Sequence, residues 1–317
     1  MELIKKSTES LVKYANDFWH LPEWTNYCLT TGDTKCEEHT LTLVDKDDSI
    51  RAIIPLIRDG EEFVFQKAFC PNILVDEGSV NWMELTKLLK DYARVNGVKR
   101  IAINGYVPTF INHVQQVCVS TLIKSEVRKS YKSLMHSKLT NCEVINCGSD
   151  RITKEVRRAK EFYHLLATKR NGEAFRHYTD WIKKGLAFMV YARMGGELVG
   201  ITLVTYYKGS AYYFISGYLT KCRKLNIGHA MQGAVFNELE RLGIQEYILG
   251  DISNNQLLEC KDGKNRDINF FKSGFGEAKP KIVSEYFLCP EYMKQTMIKR
   301  MKTYIGAELN EGSNITS

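Results

Sequence analysis

The sequence predicts an α/β (α+β) protein of two mixed-sheet domains, the C-terminal one more complete. Three observations carry that expectation. Both halves run through an antiparallel hairpin meander, then an amphipathic helix, then a returning strand. In the second half a glycine-marked loop separates the strand-like run 212–218 from a helical pattern. A chain of 317 residues, 44% hydrophobic and 26% charged, is long enough for two packed domains and too apolar for disorder.

The first half opens on Leu11, Tyr14, Ala15 and Phe18 at helical spacing, followed by a loop bearing Trp19, Trp24 and Tyr27. Residues 40–45, 50–57 and 62–69 read as strands. Asp59-Gly60 between the last two is a hairpin signal. Ser79 is placed to cap a helix whose Trp82, Leu85, Leu88, Leu89 and Tyr92 share a face and which ends near Asn96-Gly97. Residues 100–106 then return as a strand.

The second half starts with a basic helix at 127–135 and a short strand at 143–146. Two helices follow, 152–168 and 172–183. The runs 186–193 and 197–207 form a strand pair about Gly195-Gly196, a two-residue turn that tolerates positive φ. After the strand 212–218, Gly228 opens an amphipathic segment in which Met231, Val235, Leu239 and Leu242 share a face and Gly243 supplies the stop. The strand IQEYILGD, a short helix ending in Gly274-Phe275-Gly276, and a strand to Leu288 complete the unit. A last helix carries Met293, Met297, Met301 and Tyr304 on one side, with Lys294, Lys299, Arg300 and Lys302 elsewhere.

Composition narrows the functional classes. No apolar run approaches the length of a membrane span, and the opening MELIKKSTES lacks the apolar core of a secretory signal. A cytoplasmic protein without stable membrane insertion is expected. The nine cysteines are scattered without a CxxC pair, which points to reduced thiols and no metal site. The net charge of +7 is concentrated: residues 121–160 hold ten Lys or Arg against four acids. Such a field favours anionic partners such as a nucleotide-sugar diphosphate or an RNA backbone, although a solvated helix face has the same composition.

The order of elements over 186–288 resembles the GNAT acyltransferase superfamily. RKSYKSLM at 128–135, the hairpin GGELVGITLV and DINFFKSGFG are more similar to its Fem-type branch, which pairs two GNAT-like domains. That branch comprises peptidoglycan-bridge aminoacyltransferases and relatives associated with cell-surface polysaccharide synthesis. The likeness is firm over roughly 124–288. It implies a degenerate, acceptor-side GNAT-like domain at 1–120, an acyltransferase domain at 121–307, and a disordered tail at 308–317.

The resemblance also implies roles. In GNAT enzymes the donor pyrophosphate lies on backbone amides where a loop meets a helix, a ready anion cradle. Here Lys224, Asn226, Ile227, Gly228, His229 and Ala230 occupy that place. Matched as Arg or Gln, two residues, Gly, one residue, Gly or Ala, the pattern falls on Leu225, Gly228 and Ala230 and lacks its first polar residue. Many GNAT enzymes carry a Tyr four residues before the Gly-Phe pair to protonate a leaving thiolate; this chain has Phe270. Phe271-Lys272 is similar to the Phe-Lys pair of the Fem branch, whose lysine stands at the departing group of an aminoacyl-tRNA. A cation there stabilises developing negative charge, though Lys272 also reads as a helix-end charge.

Attack by an amine needs a neutral amine. Asp251 ends IQEYILGD where α/β sheets place ligands, so it is the candidate base or amine-orienting group, with an Asx-turn onto Ser253 and Asn254 as the other reading. For the acceptor, Trp24 and Tyr27 offer stacking rings or a packed lid. Arg128, Lys129 and Lys132 fall on neighbouring helical turns and suit a diphosphate, and Tyr286 on the last strand is a further candidate. The expectation is an N-acyltransferase using acyl-CoA, such as acetyl-CoA, on an amino-sugar or peptide acceptor of a surface glycan or cell wall. A nucleotide-linked amino sugar fits the acceptor. An aminoacyl-tRNA is the alternative donor, and a non-catalytic nucleotide- or RNA-binding module the alternative class. DNA is not an expected partner.

Overall fold

The computed structural model describes residues 1–31, 36–64, 73–75, 78, 80–123, 127–136, 140–166, 174–252 and 263–312. The first half begins with β1 (Glu2–Lys5) and a single helical turn, α1 (Thr8–Leu11), capped by Ser7. The segment expected to be an aromatic loop is helix α2 (Pro22–Thr31), with proline at the first position, where its missing N–H costs no hydrogen bond. Strands β2 (Cys36–Glu38), β3 (Leu41–Val44), β4 (Ile50–Ile54), β5 (Ile57–Asp59), β6 (Glu62–Val64) and β7 (Leu74–Val75) follow. Gly60, at φ 59°, turns β5 into β6 as the Asp-Gly signal predicts.

Helix α3 (Trp82–Val95) is capped by Asn81, whose side chain accepts from the amides of Met83 and Glu84; Ser79, the expected cap, lies outside the described residues. After β8 (Arg100–Asn104) comes β9 (Ile111–Leu122), a long strand that the sequence reading did not anticipate.

The second half comprises α4 (Lys129–Met135), β10 (Asn141–Ile145), α5 (Ile152–Leu165), α6 (Ala174–Lys183), β11 (Ala187–Met194), β12 (Glu197–Tyr207), β13 (Ser210–Tyr218), α7 (Ile227–Arg241), β14 (Glu246–Ile252), α8 (Gly263–Ser273), β15 (Glu277–Phe287) and α9 (Pro290–Gly312). Gly195 and Gly196 both have positive φ and join β11 to β12 as expected. Helix α9 continues to Gly312, into the segment read as a disordered tail.

The two halves share a sheet. β1, β3, β4 and β7 form a four-stranded sheet, while the other strands make one eleven-stranded sheet in the order β10-β11-β12-β13-β14-β9-β15-β8-β6-β5-β2. β9 lies between β14 and β15, antiparallel to both, and β15 pairs on its other edge with β8. The architecture is a mixed α/β fold whose two halves are joined through β9 and β15.

Strand alternation explains the core of the second half. Ala187, Met189 and Tyr191 of β11 pack with α2, α5 and α6, whereas Phe188, Val190 and Ala192 pack with α4 and α7. Helices cover both faces, so the strand is a continuous apolar run rather than an alternating one. A third core lies in the first half, around Leu85 and Leu89 of α3 and Ile101 and Ile103 of β8.

Candidate active site

A crevice opens where two parallel strands part. β13 and β14 pair only over 210–212 and 246–248. Beyond that, β13 stays with β12 and β14 stays with β9, which it pairs along its whole length. Ligands of open α/β sheets bind outside such carboxyl ends. Helix α7 starts on the same side, and its first ladder hydrogen bond runs from the Ala230 amide to the Asn226 carbonyl at 3.1 Å. The amides of Ile227, Gly228 and His229 precede that ladder and form the anion-favouring end of the helix.

The backbone corrects the reading of this loop. Asn226 is left-handed, with φ 54°, and makes no side-chain cap. It therefore holds the conformation that glycine adopts most readily and asparagine tolerates better than most. Counted from Asn226 as the first glycine-like position, the pattern falls on Arg223, Asn226 and Gly228. Arg223 then supplies the polar residue that the match starting at Leu225 lacked, and the same spacing counted two residues earlier would have found it. Ile227 and Ala230 are core side chains, so only their backbone is available to a ligand, while Lys224 and Asn226 are exposed.

Gly228 is also required by packing. A Cβ there would stand 3.2 Å from the Phe271 ring, so the glycine lets α8 close against α7. His229 lies among Tyr131, Phe271 and Phe275, with ring centroids at 4.4, 5.1 and 5.9 Å. Burial lowers its pKa and keeps the imidazole neutral, and its Nε2 has no hydrogen-bond partner among the described residues. A neutral ring suits a site at a helix start, where a cation would oppose the dipole.

Asp251 and Lys272, separate in sequence, meet at the open end of β14. The Lys272 ammonium donates to the Asp251 carbonyl oxygen at 2.7 Å. Residue Phe271 is turned toward the core and Phe270 outward, 60% exposed. Helix α4 is tied onto this corner from the other side. The Arg128 amide donates to the Gly274 carbonyl at 3.1 Å, and the Tyr131 hydroxyl donates to the Phe270 carbonyl at 3.1 Å. Arg128, Lys129 and Lys132 are exposed along it, so the basic helix borders the α8 corner of the crevice.

Three acceptor candidates, Trp24, Tyr27 and Tyr286, fall elsewhere. Trp24 is 2% exposed, enclosed by Phe18, Trp19, Tyr27 and Phe214, and leaves no face for a ligand; Tyr27 stacks on it at 5.2 Å. These rings hold α2 against the sheet. Tyr286 stacks on Phe110 at 5.4 Å beneath the Lys90 ammonium, in the first-half core. Its neighbour Glu285 is buried between Arg100 and Arg300. The residues Ser253 and Asn254 invoked for an Asx-turn lie outside the described residues. Among the described residues no group of His, Cys, Asp and Glu could hold a metal ion, and no helix is long and apolar enough to cross a membrane.

Residues 149–255 match the family of acetyltransferase (GNAT) domains. That match runs from α5 to β14, the elements that flank the crevice. The whole structure is similar to that of FemX, with a TM-score of 0.61 and 12% identity over 93% of this chain and 99% of that one. It is also similar to the C-terminal domain of a protein described as a lysylphosphatidylglycerol synthetase from Agrobacterium fabrum (TM-score 0.57, 12% identity, 84% of this chain and 88% of that one). A tandem GNAT protein from the clavulanic acid biosynthesis pathway matches with TM-score 0.50 and 11% identity over 91% of this chain and 99% of that one. These likenesses concern the fold alone, two GNAT-like units in one chain. No curated protein matches the chain in sequence.

Proposed function

We propose that the protein is a cytoplasmic N-acyltransferase that moves an acyl group from acyl-CoA to an amine of an amino-sugar or peptide acceptor used in a surface glycan or cell wall. The meeting of Asp251 and Lys272 at the parted strands carries the reading. In the proposed reaction the Asp251 carboxylate orients the acceptor amine and takes its proton. The amine nitrogen bonds to the acyl carbon, and the bond from that carbon to the donor sulfur breaks. Lys272 faces the negative charge that develops as the leaving group departs. The donor phosphates lie on the α7 amides with Lys224 beside them and Arg223 opening the loop pattern. The acetyltransferase (GNAT) family match over 149–255 supports the acyl-CoA donor.

A second reading is an aminoacyl-tRNA donor, in which a carbon–oxygen ester bond breaks instead. Phe270 favours it, because it stands where a thiolate-protonating tyrosine would be and has no proton to give. Likeness to FemX is consistent with either donor. Acetyl-CoA at a hundred times its dissociation constant should stabilise the fold by about 2.7 kcal/mol. A thermal unfolding midpoint unmoved by saturating acetyl-CoA would reject the acyl-CoA donor, and the same measurement with a charged tRNA would then test the second reading.

A further inference from the structure

We infer that Gly250 is a positioning residue: the bulge it makes in β14 turns the Asp251 carboxylate away from α7, onto the face of the sheet covered by α5 and α6. This rests on the role proposed above for Asp251. Residues directly opposite each other in a sheet share a face, and along one strand the faces alternate. Over 246–248 β14 keeps one register with β9, Tyr247 opposite Thr121 and Ile248 opposite Ser120. Gly250, not Leu249, then stands opposite Val119. β14 therefore carries one extra residue, a β-bulge, and Gly250 within it has φ 83°, in the left-handed region that favours glycine.

The two cores on either side of the sheet locate its faces. Tyr247, Leu249 and Val119 are fully buried in the core under α4 and α7, whereas Ile248 packs on the core of α2, α5 and α6. Plain alternation would send residue 251 after Tyr247 and Leu249 into the first of these, among apolar side chains such as Val235, Phe236 and Phe275. Burying a carboxylate there is costly. With the bulge, Leu249 and Gly250 share the α7 face and Asp251 falls on the other. Helix α5 reaches that face at the opposite lip of the crevice. Gly217 of β13 pairs with Ile201 of the α5 core, and a Cβ at Gly217 would stand 2.5 Å from a Leu166 methyl at the end of α5. The Asp251 carbonyl meanwhile accepts from Lys272 of α8. One residue thus serves both partners of the reaction: its main chain meets the leaving-group cation, and its side chain meets an amine arriving on the α5 face.

Steady-state kinetics of the full chain, with acetyl-CoA as donor and glucosamine or glycylglycine as the amine, test the inference. Asparagine tolerates a positive φ, whereas valine holds one only under strain. Gly250→Val should lower kcat about 10²-fold, the effect of a misplaced reacting group, with the KM for acetyl-CoA unchanged. Gly250→Asn should keep most of the rate. In an Asp251→Asn background Gly250→Val should cost nothing further, because the bulge acts through that carboxylate. Wild-type kcat in Gly250→Val overturns the inference. So do equal losses in the valine and asparagine variants, which would assign the effect to bulk, and losses that add in the double variant. Where Gly250→Val does not fold, Gly250→Ala takes its place in the same comparison. Coupling of glycine ethyl ester to Asp251 by a carbodiimide, mapped by mass spectrometry, reads the carboxylate without turnover. It should proceed in the wild type and in Gly250→Asn and slow severalfold in Gly250→Val; equal labelling of all three overturns the inference, as does a wild type whose Asp251 does not react. A labelling difference in a protein that acetylates neither amine keeps the bulge and counts against the proposed function. Acetyl transfer without that difference does the reverse.

Discussion

Lys272 donates a hydrogen bond to the carbonyl at the end of β14, which points its ammonium at the parting of two strands. Lys272→Met keeps the aliphatic stem and removes the charge. The expected result is a kcat lowered by about 10²–10³-fold, the usual effect of losing one preorganised electrostatic group, with an unchanged far-ultraviolet circular dichroism spectrum. An unaltered kcat would remove Lys272 from the chemistry. His39 belongs to the same scale but to stability. Burial, helped by Lys5 and Arg58, lowers its pKa to about 4, and its ring stacks on Phe63 at 4.4 Å with Nε2 3.1 Å from the Tyr92 hydroxyl. The unfolded chain binds a proton below about pH 6.5 that the fold rejects until about pH 4. Stability is therefore complete above 6.5 and falls by about 3 kcal/mol as pH drops to 4. Urea midpoints across that window should flatten in His39→Gln; an equal slope would assign the loss elsewhere. Asp251 and Lys272 could be named as candidates from sequence because strand ends and Phe-Lys spacing are written locally. Asn226 and His39 were not, since a left-handed φ and a buried ring depend on what surrounds them.

The element beside the proposed donor site is the α4–α8 corner, and Gly274 lets it close. A Cβ at Gly274 would overlap the Tyr131 ring. Gly274→Ala must push α4 away or distort the turn after α8, at a cost of about 1–3 kcal/mol, and should weaken donor binding along with the unfolding midpoint. Wild-type stability with wild-type donor affinity would show that the corner is not rigid. Helices with a clear amphipathic period, α3, α5, α6 and α7, stood close to where the sequence reading put them. The segment 22–31 was misread as an aromatic loop because two large rings in a row of polar residues give no clean period, and only the surrounding Phe18, Trp181 and Phe214 make it a buried helix. β9 escaped because its partners, β14 and β15, come more than a hundred residues later and leave no mark on the strand's own sequence.

For the whole molecule, the exchange of strands joins the halves. β9 completes the sheet of the second half, and β15 returns to pair with β8 of the first. Across that seam Glu285 is buried between Arg100 and Arg300; burial opposes its charge, but the two guanidiniums hold its pKa down at about 2. Removing either partner of such a buried group is costly. The proposed domain 121–307, produced alone, would lack most of β9 and expose the facing edges of β14 and β15. It should aggregate or unfold with low cooperativity, whereas a fragment extended to include β9 should gain a sharper thermal transition. Equal, cooperative unfolding of both fragments would show that β9 is dispensable.

The sequence by itself determined the fold class, most helices of the second half and both glycine turns, because these are encoded in local periodicity and turn chemistry. The tertiary structure alone decided that β9 sits between β14 and β15, that the Trp24 and Tyr286 rings are spent on packing, and that Arg128 stands over Phe270. Each of these depends on groups far apart along the chain being brought within a few ångströms, and no short stretch of sequence carries that distance.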